Sequence, residues 1–147
     1  MIRKAEEKDL EQIADIWLDT NQKAHAFLPG SYWKEKLEPV KQMLPQAEIY
    51  LYAEEESGKI LGFVGLDGNY IAGIFVTEEA QSQGIGRQLL NHAKACKGHL
   101  TLKVYEKNPR AVRFYQREGF VLQEEGWEEQ TGEKEFLMIW NNPSRQL

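Results

Sequence analysis

The stretch "IAGIFVTEEAQSQGIGRQLL", Ile71 to Leu90, decides the fold. It opens on seven residues of which five are apolar, a strand signal, and crosses an acidic, polar segment. It reaches Gly84-Ile85-Gly86 where a helix begins. Glycine is a poor helix former, so two of them one residue apart at a helix start need a reason. First-turn amides lack intrahelical partners, and the helix dipole leaves partial positive charge there. A glycine-lined approach lets a phosphate come close to that backbone, with Gln83 and Arg87 as further donors. Taken alone, Gly-x-Gly before a helix is more often a tight turn than a pyrophosphate cradle. Other phosphate motifs fit worse. No G-x-x-x-x-G-K-[ST] is present, and the third glycine of a dinucleotide fingerprint is Leu89 here.

The elements around this stretch follow from periodicity and punctuation. Upstream, Ile2–Ala5 reads as a strand, and Leu10, Ile13, Ala14 and Trp17 lie on one face of a helix. Pro29 and Gly30 break that pattern, and Ser31 is expected to cap a second helix through "YWKEKLEPVKQML". Pro39 predicts a kink or two short helices, and Pro45 an end. "EIYLYAE" and "ILGFVGLD" form a hairpin around Gly58, and a tight turn at Gly68-Asn69 enters the opening stretch. Downstream, Leu89, Leu90, Ala93 and Cys96 face inward, and Gly98 ends the helix. "LTLKVY" is a strand. "NPRAVRFYQREGF" is a helix with Asn108 as cap, Pro109 in the first turn and Gly119 at the exit. "FVLQEEGWEEQ" and "KEFLMIW" supply two final strands. The order is β-α-α-β-β-β-α-β-α-β-β. Hairpins require antiparallel pairing. The crossings around the glycines and around the NP helix predict parallel pairing. The expectation is an α/β fold with a mixed six- to seven-stranded sheet and helices on both faces. It forms one domain over residues 1–142, with a polar tail at 143–147.

The composition narrows the function. The chain has 147 residues, a formal net charge of -5, 41% hydrophobic and 28% charged residues, which suits one globular domain. An acidic balance disfavours nucleic acid as a partner and leaves room for a cationic one. Cys96 is the single cysteine, and no His/Cys pattern has metal-ligand spacing, so no metal is expected. The acidic start is unlike a signal peptide and no run has membrane-span length. A cytoplasmic protein without a membrane partner, monomer or homodimer, is the expectation.

"FVTEEAQSQGIGRQLL" together with "NPRAVRFYQREGF" resembles the GNAT superfamily of acetyl-CoA-dependent N-acetyltransferases. That family's [RQ]-x-x-G-x-[GA] loop reads here from Gln81 to Gly86. Its later block of Asn, Ala, Phe-Tyr and Gly-Phe reads Asn108, Ala111, Phe114-Tyr115 and Gly119-Phe120. The element order matches over nearly the whole chain, and "ADIWLDTNQKAHAFLPGSYW" and "GFVGLDGNYIAGIFV" are similar to small bacterial members of the YiaC/YjaB type. Gln81 stands where an arginine is common, which removes one cation from the phosphate end. The resemblance implies the GNAT fold, with the strands "IAGIFVT" and "LTLKV" splaying to admit pantetheine beside the backbone of Phe75 and Val76. It also implies loop amides from Gln81 through Gln83, Gly84, Ile85 and Gly86 to Arg87 around the pyrophosphate of acetyl-CoA (coenzyme A). Tyr115 then protonates the leaving thiolate, Asn108 bonds pantetheine while capping its helix, and the Val76 amide meets the oxyanion.

The base is less defined. Glu106 is placed to act through water, and His25 titrates in a useful range. A lone loop histidine is more often a surface residue. Phe27, Tyr32, Trp33 and Tyr70 are candidates, with His25, for the acceptor slot, core packing being the plain alternative. Glu124, Glu125, Glu128 and Glu129 would attract a cation, although a charge run is usually solvated surface. The acceptor implied is a primary amine, a protein lysine on the YiaC resemblance. The alternatives are a small-molecule amine (polyamine, amino acid or drug) and, in another class, an acyl-CoA-binding regulatory domain without turnover. The intact Tyr115 favours the enzyme.

Overall fold

Burial alternates along Glu48–Ala53 (β2), which pairs antiparallel with Ile60–Asp67 (β3). β3 pairs antiparallel with Tyr70–Val76 (β4). In the computed structural model, which describes residues 1–143, four further strands complete one sheet. They are Ile2–Lys4 (β1), His99–Tyr105 (β5), Val121–Trp127 (β6) and Lys134–Asn141 (β7). The seven-stranded order is β1-β2-β3-β4-β5-β7-β6. Residues 144–147 of the expected polar tail lie outside the described residues.

β3 reads as an almost unbroken apolar run because both of its faces are covered. Phe63 points into a core with Ile49 and Leu51 and with Ile13 and Ala14 of Leu10–Ala24 (α1). Leu37 and Val40 of Gly30–Met43 (α2) pack against that core. Its neighbour Val64 points the other way. There it meets Leu89, Leu90 and Ala93 of Ile85–Cys96 (α3), and Tyr115 of Pro109–Arg117 (α4). The helices therefore lie on both faces, and two cores replace one.

Several expectations are corrected. Ser31 does not cap α2; it sits inside the helix, and the capping position is Pro29. Pro39 does not divide the helix, which runs continuously to Met43. Both Pro39 and Glu35, whose carbonyl loses its donor, are exposed, so water can serve the orphaned group. Cys96, expected to face inward, is exposed at the last position of α3. The NP-helix crossing also yields no parallel pair. β7 lies between β5 and β6, antiparallel to both, and its register with β5 runs from His99↔Asn141 to Tyr105↔Glu135. The one parallel contact among the described residues is β4 with β5, limited to Tyr70↔Thr101 and Ile71↔Leu102.

Candidate functional site

Past Ile71 and Leu102 the two parallel strands separate, and a cavity of about 740 Å³ opens between them. Its wall along β4 has a defined polarity. Thr77 N donates to Leu61 O at 2.9 Å, which makes that pair hydrogen-bonded in the antiparallel ladder. Alternation then turns the N–H and C=O of Phe75 toward β3, and those of Ile74 and Val76 toward the gap. Val76 O already accepts from Gln81 Nε2 at 3.1 Å, so its N–H is the group left facing the opening. The backbone groups of Phe75, expected beside the cofactor, thus face β3, and Ile74 presents its own to the gap; the Phe75 ring lines the cavity and packs on Phe63 at 4.8 Å.

At one end the cavity reaches Gln81 and Arg110. Beyond them runs the glycine loop. Gly84 has φ +81°, a left-handed backbone that a side chain would strain, and it precedes α3 without any side-chain cap. The first-turn amides of α3 are therefore open. A Cβ on Gly86 would make only ordinary contact with Phe114 and Val76, so the protein's own packing leaves room there. Ile85 contributes backbone alone, since its side chain is buried in the core. Gln83 is exposed and donates to Glu79 O at 3.3 Å, and Arg87 is exposed and pairs with Glu118 at 3.5 Å. Neither lines the cavity. Arg110 escaped the sequence reading. It donates to Gln81 Oε1 at 3.0 Å and to Ser82 Oγ at 3.3 Å, placing a cation beside the loop where Gln81 had removed one. Its signal was its position: a cation in the first turn of a helix opposes the dipole and calls for another role.

In mid-cavity, Asn108 caps α4 by accepting from Ala111 N at 3.3 Å. Its Nδ2 lies 3.2 Å from His25 Nε2, and His25 Nδ1 lies 3.1 Å from Asn21 Oδ1. Asn21 Nδ2 in turn donates to Trp17 O at 2.9 Å. Backbone partners at both ends orient the two amides, so the imidazole donates from Nδ1 and accepts at Nε2. Burial pushes its pKa down to about 4, against a weaker upward pull from Glu128. His25 is therefore a neutral link between α1 and α4, stacked on Trp33 at 5.3 Å, and not a base poised near neutrality.

Tyr115 is buried, flanked by Phe114 and Phe120, and lines the same cavity. Burial, then the nearby Tyr70, raises its pKa well above the ordinary tyrosine value, so the hydroxyl keeps its proton. Glu106 is exposed, pairs with Lys134 at 3.4 Å and is not among the residues that line the cavity. Tyr70 lines the cavity. Phe27 lines neither opening and packs behind His25 and Tyr105. Tyr32 lines a second cavity, of about 720 Å³, bounded by α2 and by the turn joining β6 to β7. The two cavities share Trp17, Trp33, Lys103, Tyr105, Glu128 and Glu135. Among the described residues, no group of three or more His, Cys, Asp or Glu side chains is placed to hold a metal ion. No helix there is long and apolar enough to cross a membrane.

Residues 46–122 match the family model described as an acetyltransferase (GNAT) domain. The chain is 34% identical over 142 residues to the peptidyl-lysine N-acetyltransferase YiaC of Escherichia coli, covering 95% of this chain and 96% of that one. It is 32% identical over 119 residues to the peptidyl-lysine N-acetyltransferase YjaB of the same organism, covering 81% and 80%. The solution structure of apo YjaB superposes with a TM-score of 0.83 at 26% identity, over 95% of this chain and 96% of that chain.

Proposed function

The chain belongs to the GNAT acetyltransferase family, and we propose that the amine it acetylates is a lysine side chain presented by a protein. It is an acetyl-CoA-dependent N-acetyltransferase, and its residues suit that donor. The gap-facing N–H groups of Ile74 and Val76 match the amides of pantetheine as an added strand would. The uncapped start of α3 and the Arg110 guanidinium match a pyrophosphate.

Acetyl-CoA supplies an activated thioester carbonyl. A gap-facing N–H of β4 is the donor for oxygen charge that develops on that carbonyl. Tyr115 holds a proton for the leaving sulfur, as a buried phenol with a raised pKa should. Asn108, locked by His25 and Ala111, keeps the first turn of the helix carrying Tyr115 in place.

One observation carries the acceptor assignment. The second cavity meets the first at six shared residues and opens between α2 and the β6–β7 turn. An amine on a long arm can reach the reacting end while its bulk stays outside. The names of YiaC and YjaB support the same class. The test is a competition at equal concentration between a lysine-containing peptide, free lysine and spermidine, with acetylation read by mass spectrometry. Preferential modification of the peptide ε-amine is the expected result. Preference for free lysine or spermidine overturns the assignment and favours a small-molecule acceptor.

A further inference from the structure

Four carboxylates line the two cavities, and they are not equivalent. Glu78 pairs with Lys23 at 2.6 Å, and Glu135 lies 3.9 Å from Lys103. Glu129 is exposed to solvent. Glu128 is half-buried at the junction of both cavities, with no Lys, Arg or His within ion-pair distance among the described residues. Its two oxygens are nevertheless fixed. Tyr32 Oη from α2 donates to Oε1 at 3.2 Å, and Tyr105 Oη from β5 donates to Oε2 at 2.8 Å. Two phenols from opposite walls thus hold one uncompensated negative charge at the point where the openings meet. Aromatic rings of Trp17, Trp33 and Tyr105 border the same junction. A half-buried carboxylate held by two hydrogen bonds and paired with no cation keeps its charge free for a cationic ligand. Rings beside it suit the methylenes and the ammonium of an alkylamine.

We propose that Glu128 is the docking residue for the acceptor's ammonium, selecting a cationic primary amine on an aliphatic arm as it passes from the outer cavity to the reacting end. This deepens the lysine-acceptor reading and rests on it for the identity of the arm. Tyr32 and Tyr105 are positioning residues that keep the carboxylate aimed at the junction. Burial is the main reason both phenols hold their protons more tightly than usual, so they remain donors across the working pH range. The acceptor gives up its proton after docking, and Glu128 is assigned no share in that step.

The test measures equilibrium binding to the protein saturated with coenzyme A, so it does not depend on turnover. The probes are Nα-acetyl-lysine N-methylamide and its analogue with a terminal hydroxyl in place of the amine. Wild type should favour the amine by about tenfold or more, the size expected for a hydrogen bond to a charged group. Glu128→Gln, whose amide can accept from one tyrosine and donate to the phenol oxygen of the other, should lose that preference while binding the alcohol unchanged. Glu129→Gln removes the same charge one residue away and should keep the preference. Tyr105→Phe should reduce it in part. An amine preference that survives in Glu128→Gln, or falls equally in Glu129→Gln, overturns the proposal, as does a wild type that prefers neither the lysine probe nor spermidine over the matching terminal alcohol. If spermidine shows the Glu128-dependent preference and the lysine probe does not, the docking role stands and the lysine reading falls.

Discussion

Asn108 and His25, 83 residues apart in the chain, meet side chain to side chain at 3.2 Å. The contact closes a series that runs from Trp17 O through Asn21, His25 and Asn108 to Ala111 N, tying α1 to the first turn of α4. Protonating His25 would set an N–H against the Asn108 amide, so the series holds only with a neutral ring. The folded pKa, about 4, lies below the ordinary value of 6.5. The unfolded chain therefore binds the proton more readily between those values, and stability is lost as pH falls through them. Acidifying from pH 7 to pH 5 should remove on the order of 2 kcal/mol through this one group. Thermal unfolding across that range should show a smaller loss in His25→Gln. Equal loss in both proteins would mean that His25 is not the group responsible.

Tyr115→Phe removes the phenolic proton and keeps the ring that packs between Phe114 and Phe120. Acetyl-CoA binding should be unchanged, and turnover should fall by roughly ten- to ten-thousand-fold, the range for loss of a general acid. Because burial raises the Tyr115 pKa, wild-type kcat should show no decline from its ionisation up to about pH 10, the ordinary tyrosine value. A pH–rate profile with a falling limb below that point, absent in Tyr115→Phe, would contradict this.

The two loop glycines separate backbone need from ligand need. Gly84 sits at φ +81°, so Gly84→Ala should destabilise the fold by about 1 kcal/mol, the strain of a left-handed residue with a side chain. Gly86 has helical geometry and room for a Cβ beside Phe114 and Val76. Gly86→Val should therefore fold with little loss of thermal stability and bind acetyl-CoA far more weakly. Calorimetry finding wild-type affinity in a folded Gly86→Val protein would remove the phosphate role from this loop.

Much of this was legible because strand alternation, capping and turn residues are local. The order of all eleven strands and helices could be read, as could the Asn108 cap. What sequence spacing could not carry was long-range. The insertion of β7 between β5 and β6 is set by strand pairing across the chain, and nothing near the NP helix announces it. His25, a loop residue as expected, looked like a surface one because Asn21 is close in sequence but Asn108 and Trp33 are not. Glu106 looked placed for catalysis from its neighbours; its side chain instead joins Lys134 at the surface. Glu128 lay inside a run of glutamates, and only the two tyrosines that grip it distinguish it from the others.

Arg110 supplies the last prediction. It reaches from the first turn of α4 to Gln81 and Ser82, on the side of the cavity where the glycine loop begins. If its charge serves the phosphates, Arg110→Ala should raise the Kd for acetyl-CoA about tenfold or more and leave kcat nearly unchanged, as loss of a charge-assisted hydrogen bond would. Binding should also become less sensitive to salt, because one fewer exposed cation is screened. Arg110→Lys keeps the charge and loses the planar fork, so it should fall between the two. The alternative is that Arg110 only braces Gln81, whose Nε2 holds the carbonyl of Val76. Adding Gln81→Arg to Arg110→Ala distinguishes these cases. That change restores a cation at the loop while abolishing the brace. Recovery of affinity and of its salt dependence assigns Arg110 to charge, and continued weak binding with wild-type salt dependence assigns it to bracing.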